Sequence, residues 1–189
     1  MTTDQQHARI AGKNARRQLS NAQRDKYSDA IADRVIRAAW FQRASYVGCY
    51  LPTIDEVNTW EIIARAWLMG KRVFVPVVEK KQKMQFRELT PETDLRPASW
   101  GLLEPSDGEI ASARMLDVVI TPVVAFDKDN HRIGMGGGYF DRTFAFLRHR
   151  SNWRRPRLIG LAFDCQQVEK IRPNPWDIRV FTIVTEKNR

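Results

Sequence analysis

The sequence predicts a layered α/β fold on a mostly parallel sheet, and three observations carry that expectation. A strand, a helix and a second strand follow one another between Ser45 and Val78, a βαβ unit that calls for parallel pairing and a right-handed crossover. Residues 117–126 (DVVITPVVAF) form the most apolar strand candidate of the chain, as expected of a strand buried on both faces. Directly after it, four of the ten glycines fall within residues 134–138, ahead of a helical stretch, and the step from strand end to helix start is where open α/β sheets bind ligands. With 189 residues and domains of roughly 150, a single domain over residues 1–189 is expected.

Residues from about Gln5 to Trp40 read as helix in two segments divided near Ser20, whose hydroxyl can cap the second. Within that second segment Tyr27, Ile31, Val35 and Ala38 recur at helical spacing and make one apolar stripe, with Arg24, Asp33, Arg34 and Arg37 off it. Ser45 to Leu51 is the first strand, ended by Pro52. Asn58 with Glu61 three residues on resembles a capping box, opening a helix whose apolar face is Trp60, Ile63, Ala64 and Trp67 and which Gly70 stops. Arg72 to Val78 follows as a strand, and Met84 to Leu89 as a more polar one at an edge. Residues 90–115, with Pro91, Pro97, Gly101, Pro105 and Gly108, are expected to be mostly loop, long enough to be functional. After the central strand, Asp127 to His131 turns the chain, the glycines lead into a helix to about Arg150, and Arg157 to Phe163 and Val180 to Thr185 add later strands.

Composition excludes some classes. At 43% hydrophobic and 28% charged residues the chain has the usual globular mix, and its longest apolar stretch, broken by Thr121 and Pro122, is far short of the roughly 18 residues of a membrane helix. Lys and Arg exceed Asp and Glu by 31 to 22, and the resulting charge of +9 favours anionic partners. The first residues are polar and lack an apolar signal-peptide stretch, so a cytoplasmic protein is expected. Cys49 and Cys165, far apart and in apolar surroundings, are expected as buried free thiols.

The glycine segment allows backbone N–H groups to approach an anion without interference from Cβ, so phosphate is its natural guest. The familiar phosphate loops do not fit: neither Gly12-Lys13 nor Gly70-Lys71 completes a P-loop, and a dinucleotide fingerprint would need glycine where Tyr139 stands. No esterase elbow or paired zinc-binding histidines occur. Lys13 and Arg17, four apart on one helix face with Arg16 beside them, can reach two phosphates of one nucleotide; a solvated basic face is the competing reading. The basic residues also sustain a nucleic-acid-binding alternative, although Trp153 is the sole aromatic among Arg148, Arg150, Arg154, Arg155 and Arg157. Asp141, at the opening of the helix after the glycines, suits Mg²⁺ bridging phosphate oxygens or, as the alternative, a helix-dipole partner. Glu56 lies in the loop after the first strand, where it can accept from a polar heterocycle or stand as a plain surface acid.

The segment DVVITPVVAFDKDNHRIGMGGGYFDR (Asp117 to Arg142), with Lys13-x-x-x-Arg17, YLPTIDEVNT (Tyr50 to Thr59), GKRVFVP (Gly70 to Pro76), SWGLLEP (Ser99 to Pro105), IGLAFDCQQVEKI (Ile159 to Ile171) and Trp176-Asp177, resembles the 5-formyltetrahydrofolate cyclo-ligase, or methenyltetrahydrofolate synthetase, family. The resemblance covers nearly the whole chain. It implies a three-layer, Rossmann-like α/β sandwich with a mostly parallel central sheet, and an ATP- and Mg²⁺-dependent closure of 5-formyltetrahydrofolate to 5,10-methenyltetrahydrofolate with release of ADP and phosphate. By motif, ATP would be held by Lys13, Arg17, Arg132, Gly134, Met135, Gly136, Gly137, Gly138, Tyr139 and Phe140. The folate would lie against Leu51, Glu56, Trp100 and residues Met135 to Tyr139, and Mg²⁺ on Asp141 and Asp177. Three positions depart from the family pattern. Phe140 replaces a second tyrosine, Met135 stands where some members carry arginine, so that Arg142 would supply that phosphate contact, and Trp176 replaces a polar residue. The partners implied are ATP and the folate, with no membrane and no nucleic acid, and the protein is expected to be a monomer.

Overall fold

Local chemistry sets the first elements. In the computed structural model, which describes residues 3–79, 83–98, 101–149 and 155–187, helix α1 (Thr3–Arg17) gives way to α2 (Asn21–Arg37) at Ser20. The Ser20 hydroxyl accepts from the Gln23 amide while the Gln23 side chain accepts from the Ser20 amide, a complete capping box. The helix stops at Ala38, short of the expected Trp40, and a separate turn, α3 (Ala39–Gln42), follows. Ile31 and Val35 of the expected stripe are fully buried.

Strand β1 (Tyr46–Cys49) is followed by α4 (Trp60–Leu68) and β2 (Arg72–Glu79). The expected capping box at α4 does not form: Thr59 occupies the cap position, and the Asn58 side chain instead accepts from the Trp60 amide. Of the expected apolar face Ile63 is buried, and Ile62 and Ala66 join it, while Trp60 at the helix start is exposed. Gly70, at φ 68°, closes the helix as its Lys71 neighbour donates back to the Ala66 carbonyl.

Beyond β3 (Lys83–Leu89), residues 90–115 are less irregular than their prolines suggest. They hold a small hairpin, β4 (Leu95–Pro97) with β5 (Leu103–Pro105), and a two-residue strand, β6 (Ile110–Ala111), which covers the outer edge of β3. The apolar run 117–126 supplies β7 (Val118–Pro122) and then β8 (Ala125–Phe126), which pairs with β9 (Arg132–Ile133). The helix after the glycines is only α5 (Tyr139–Thr143), succeeded by a 3₁₀ turn (Ala145–His149). Strands β10 (Arg157–Leu161) and β11 (Thr182–Val184) complete the set.

The central sheet runs β11-β10-β7-β1-β2-β3-β6 among the described residues, parallel from β11 to β2 and antiparallel at β3 and β6. Side chains alternate between two cores: Val73, Val75, Val118 and Ile120 face α2 and α4, whereas Phe74 and Val119 face Phe144, Ile178 and Val180. Helices on one face, and α5 with the C-terminal segments on the other, make the three layers. Chain order moves outward from β1 to β2 in one direction and from β7 to β10 and β11 in the other, so strand order reverses between β1 and β7. The carboxyl ends of those two strands therefore flank the ligand crevice of an open α/β sheet.

The hairpin of β8 and β9 is braced by buried Asp127. One of its oxygens accepts from the Asp129 and His131 amides at 3.0 Å each, the other from the Ile171 amide at 2.9 Å, with His131 Nδ1 3.0 Å away. Burial works to raise this pKa, but the Ile171 amide and His131 outweigh it and hold the carboxyl below its ordinary value. A carboxyl with a depressed folded pKa contributes stability above its unfolded pKa, and that contribution is lost as pH falls through the folded value. Asp127→Asn is expected to cost about 2 kcal/mol at neutral pH, measured by urea denaturation, and the deficit should narrow below about pH 4. An unchanged deficit at acid pH would remove the ionic contribution. Of the two thiols, Cys49 is buried as expected, and burial pushes its pKa to about 12, whereas Cys165 is exposed because the 3₁₀ turn Asp164–Gln166 lifts it outward.

Candidate functional site at the strand-order reversal

Helix α1 lies across the reversal point. Its Gly12 rests directly on the Val124 carbonyl, just past β7, where any Cβ would collide with backbone. This contact fixes how α1 sits, and the residues at 5, 9, 13 and 16, spaced by four, four and three, then form one polar face. Gln5 is buried and donates to Asp177 Oδ2 at 2.9 Å. Arg9 Nε donates to the Gly134 carbonyl at 2.9 Å. Arg16, also buried, points its guanidinium at Glu56, Nη1 to Oε1 3.9 Å. Lys13 sits between them, half-buried.

The glycine loop follows β9. Gly136 at φ 105° and Gly138 at φ 65° take conformations that side chains avoid, and Met135, Gly136 and Gly137 are exposed. Arg142, one turn into α5, folds back so that its guanidinium donates to the Gly137 carbonyl at 2.8 Å and lies over the Tyr139 ring. Beneath the loop, buried Arg132 donates to Asp141 Oδ1 at 3.0 Å and lies over Phe140, so the benzyl ring at 140 has a packing role that needs no phenol. Asp141 Oδ1 also accepts from the Ile178 amide at 3.1 Å. That bond draws the 174–178 turn to α5 and brings Asp177 alongside, its Oδ2 held by Gln5 and by the amide and side chain of Asn174.

The loop after β1 forms the other side. Leu51 is buried in the core facing α2 and α4. Glu56 Oε2 accepts from the Thr53 amide at 3.0 Å, while Arg17, mostly exposed, pairs with Asp55 at 3.5 Å. Beside Glu56 opens a cavity of about 390 Å³, bordered by Arg24, Asp25 and Ser28 of α2 and by Ile54 and Trp60.

The structure thus brings together Arg132, Gly134 to Arg142, Asp141 and Asp177 as one group, and Glu56 with the end of α1 as a second. Arg17 turns to Asp55 rather than to the glycine loop, and the α1 cation in contact with that loop is Arg9. Gln5, Arg9 and Arg16 were not singled out as site residues in the sequence, though their spacing with Lys13 carries the signal. Trp100 and Trp153 lie outside the described residues. No described helix is long and apolar enough to cross a membrane.

A model of the 5-formyltetrahydrofolate cyclo-ligase family matches residues 1–186. The chain is 30% identical over 189 residues to the 5-formyltetrahydrofolate cyclo-ligase of Haemophilus influenzae, covering 97% of this chain and 98% of the relative. It is 33% identical over 176 residues to that of Escherichia coli, covering 90% and 93%. Among solved structures it resembles the 5,10-methenyltetrahydrofolate synthetase of Aquifex aeolicus, with a TM-score of 0.82 and 27% identity over 97% of this chain and 90% of that one. Nothing here supports the nucleic-acid-binding alternative. Sequence over nearly the full length and a fold that gathers a helix and a glycine loop at its ligand crevice agree, and the chain belongs to the 5-formyltetrahydrofolate cyclo-ligase family.

Proposed function

We propose that α1 sets two half-sites at a working distance: the glycine loop with Arg9, Arg132 and Arg142 for the phosphates of ATP, and the Glu56 loop for the pterin of 5-formyltetrahydrofolate. The chain is a ligase of its family, with ATP as co-substrate. The observation that carries the arrangement is α1 itself, which contacts Gly134 through Arg9 and Glu56 through Arg16. Seven residues of helix separate those contacts by about 10 Å, suited to a pterin edge at one end and its N5-formyl group meeting a terminal phosphate at the other. Lys13 lies between them on the same face, and Arg17 borders the folate side. Leu51 backs the folate loop from the core, and Trp100 would supply an aromatic wall.

The formyl oxygen is a poor leaving group. Transfer of the γ-phosphoryl group forms an oxygen–phosphorus bond and breaks the bond to ADP; N10 then attacks the formyl carbon, loses its proton and expels phosphate as the ring closes. Such transfer depends on positioning and charge neutralisation, which the loop amides and guanidinium groups supply without a covalent nucleophile. Mg²⁺ fits the donor set: Asp141 and Asp177 offer hard carboxylate oxygens beyond the Oδ1 and Oδ2 atoms bonded as described. Bound there, the ion would neutralise phosphate charge. Arg132 and Gln5 orient the two carboxylates. We propose further that residues 1–189 act as one domain, as a monomer, in the cytoplasm.

An ATP-dependent absorbance rise from methenyl product tests the reading, and its absence with folded protein, both substrates and Mg²⁺ overturns it. Glu56→Gln removes a charge-assisted hydrogen bond to the pterin and is expected to raise the KM for folate at least about tenfold, leaving the KM for ATP within about twofold. Equal effects on both substrates would misplace the folate.

A further inference from the structure

We infer that Arg16 is a positioning residue for the folate site, acting through Glu56; this rests on the reading of Glu56 as the pterin-binding group. Both side chains are almost wholly buried, 6% and 9% exposed, and Arg16 Nη1 lies 3.9 Å from Glu56 Oε1. That separation is longer than a hydrogen bond, and Arg16 Nε has no hydrogen-bond partner. The guanidinium therefore meets the carboxylate mainly as a charge, leaving Oε1 able to accept from a ligand while Oε2 is fixed by the Thr53 amide at 3.0 Å.

The surroundings give Arg16 this task. A carboxylate taken out of water is costly unless a counter-charge accompanies it. The other charged groups nearby are directed elsewhere: Arg17 pairs with Asp55, and Arg24 donates to the Leu19 and Arg16 carbonyls and to Asn21. Another close titratable group is Tyr50, whose hydroxyl donates to the Val57 carbonyl at 2.9 Å. Burial, then Glu56, then Cys49 push its pKa well above the ordinary value while Arg16 pulls the other way, so Arg16, Glu56 and Tyr50 share one field. Asp25, which lines the same cavity as Glu56, adds only negative charge. Without Arg16 the carboxylate loses its counter-charge and turns toward water, and the acceptor presented to the pterin is lost. Arg16 touches neither substrate and acts only through Glu56.

The test measures Kd for 5-formyltetrahydrofolate and for a non-hydrolysed ATP analogue, with kcat, in Arg16→Leu, Arg16→Met, Arg16→Lys, Glu56→Gln and the Arg16→Leu/Glu56→Gln double variant. Removing the charge is expected to weaken folate binding about tenfold, with analogue binding and kcat at saturating folate within about twofold. Arg16→Lys should recover most of the loss, and the double variant should be no worse than the poorer single one. Arg16→Met, which keeps an unbranched stem, serves the same comparison if Arg16→Leu does not fold. Folded Arg16 variants with parental folate affinity, equal losses for both ligands, or additive losses in the double variant would overturn the inference while Glu56 retains its role. Parental folate affinity in Glu56→Gln would overturn both.

Discussion

Replacing Gly137 by Asp is expected to lower kcat by at least about a thousandfold while shifting Tm by no more than a few degrees. A Cβ at 137 would come within 2.7 Å of the Tyr139 ring, and that ring carries the Arg142 guanidinium, which in turn holds the Gly137 carbonyl. The new side chain opens this clasp and sets a carboxylate where the loop receives phosphate. Folding is little affected because Met135 to Gly137 are exposed and bury no core. Gly137→Ala separates the two causes: it keeps the collision and omits the charge, so it should retain more activity than the Asp variant. Product absorbance and binding of an ATP analogue check both, and an Asp variant that binds the analogue normally would remove the phosphate role of the loop.

Gly12→Val should damage both half-sites at once. Its Cβ would collide with the Val124 carbonyl and come within 3.1 Å of the Ala125 Cβ, and a backbone carbonyl in a packed hairpin cannot swing aside as a side chain can. Gly to a larger residue normally favours a helix by up to about 1 kcal/mol, but overpacking against a fixed neighbour costs about 1–3 kcal/mol, and here the second effect dominates. Since α1 carries Arg9 to the glycine loop and Arg16 to Glu56, its displacement is expected to raise the KM for ATP and for folate at least about tenfold each, with Tm lowered by about 2–8 °C. The double loss distinguishes this variant from Glu56→Gln. A folded Gly12→Val protein with parental KM values would show that α1 does not set the spacing.

The sheet was legible in the sequence wherever residues are buried on both faces. Val118 to Ile120 and Val73 to Val75 send alternate side chains to two different cores, so both runs read as continuous apolar strands. Ser20 was legible for another reason: its capping box closes with a neighbour three residues away and needs nothing distant. The start of α4 misled because Asn58 and Glu61 suit a local box, whereas the Thr59 hydroxyl is committed to the Tyr50 carbonyl and the core holds Ile62 and Ile63. The hairpin within residues 90–115 was hidden because its strands are three residues each and depend on docking beside β2, where the Glu104 carboxylate accepts from the Val78 amide.

In the candidate site, the glycine loop announced itself because several glycines gather in one place, a local property. The cations did not sort themselves. Lys13, Arg16 and Arg17 look alike in sequence, and their different fates depend on the turn of α1 fixed by Gly12 on Val124. Arg9 reaches a carbonyl 125 residues away, which no periodicity within α1 reveals. Asp141 stood out by its place at the opening of the helix after the glycines, Asp177 was named only from the resemblance, and one hydrogen bond, Ile178 amide to Asp141, draws the turn that carries Asp177 to α5.

The Gln5–Asp177 bond joins residues 172 positions apart, and this ties the seating of α1 to the synthesis of the Asp177 turn. Helix α1 lacks its Arg9 and Gln5 contacts until the glycine loop and then the Asp177 turn have been made, because both partners lie far downstream. Long loops close late in folding, so the sheet can assemble strand by strand while the crevice stays open. A chain interrupted before Asp177 thus carries every parallel strand except β11 and still lacks the bond that holds α1 to the Asp177 turn.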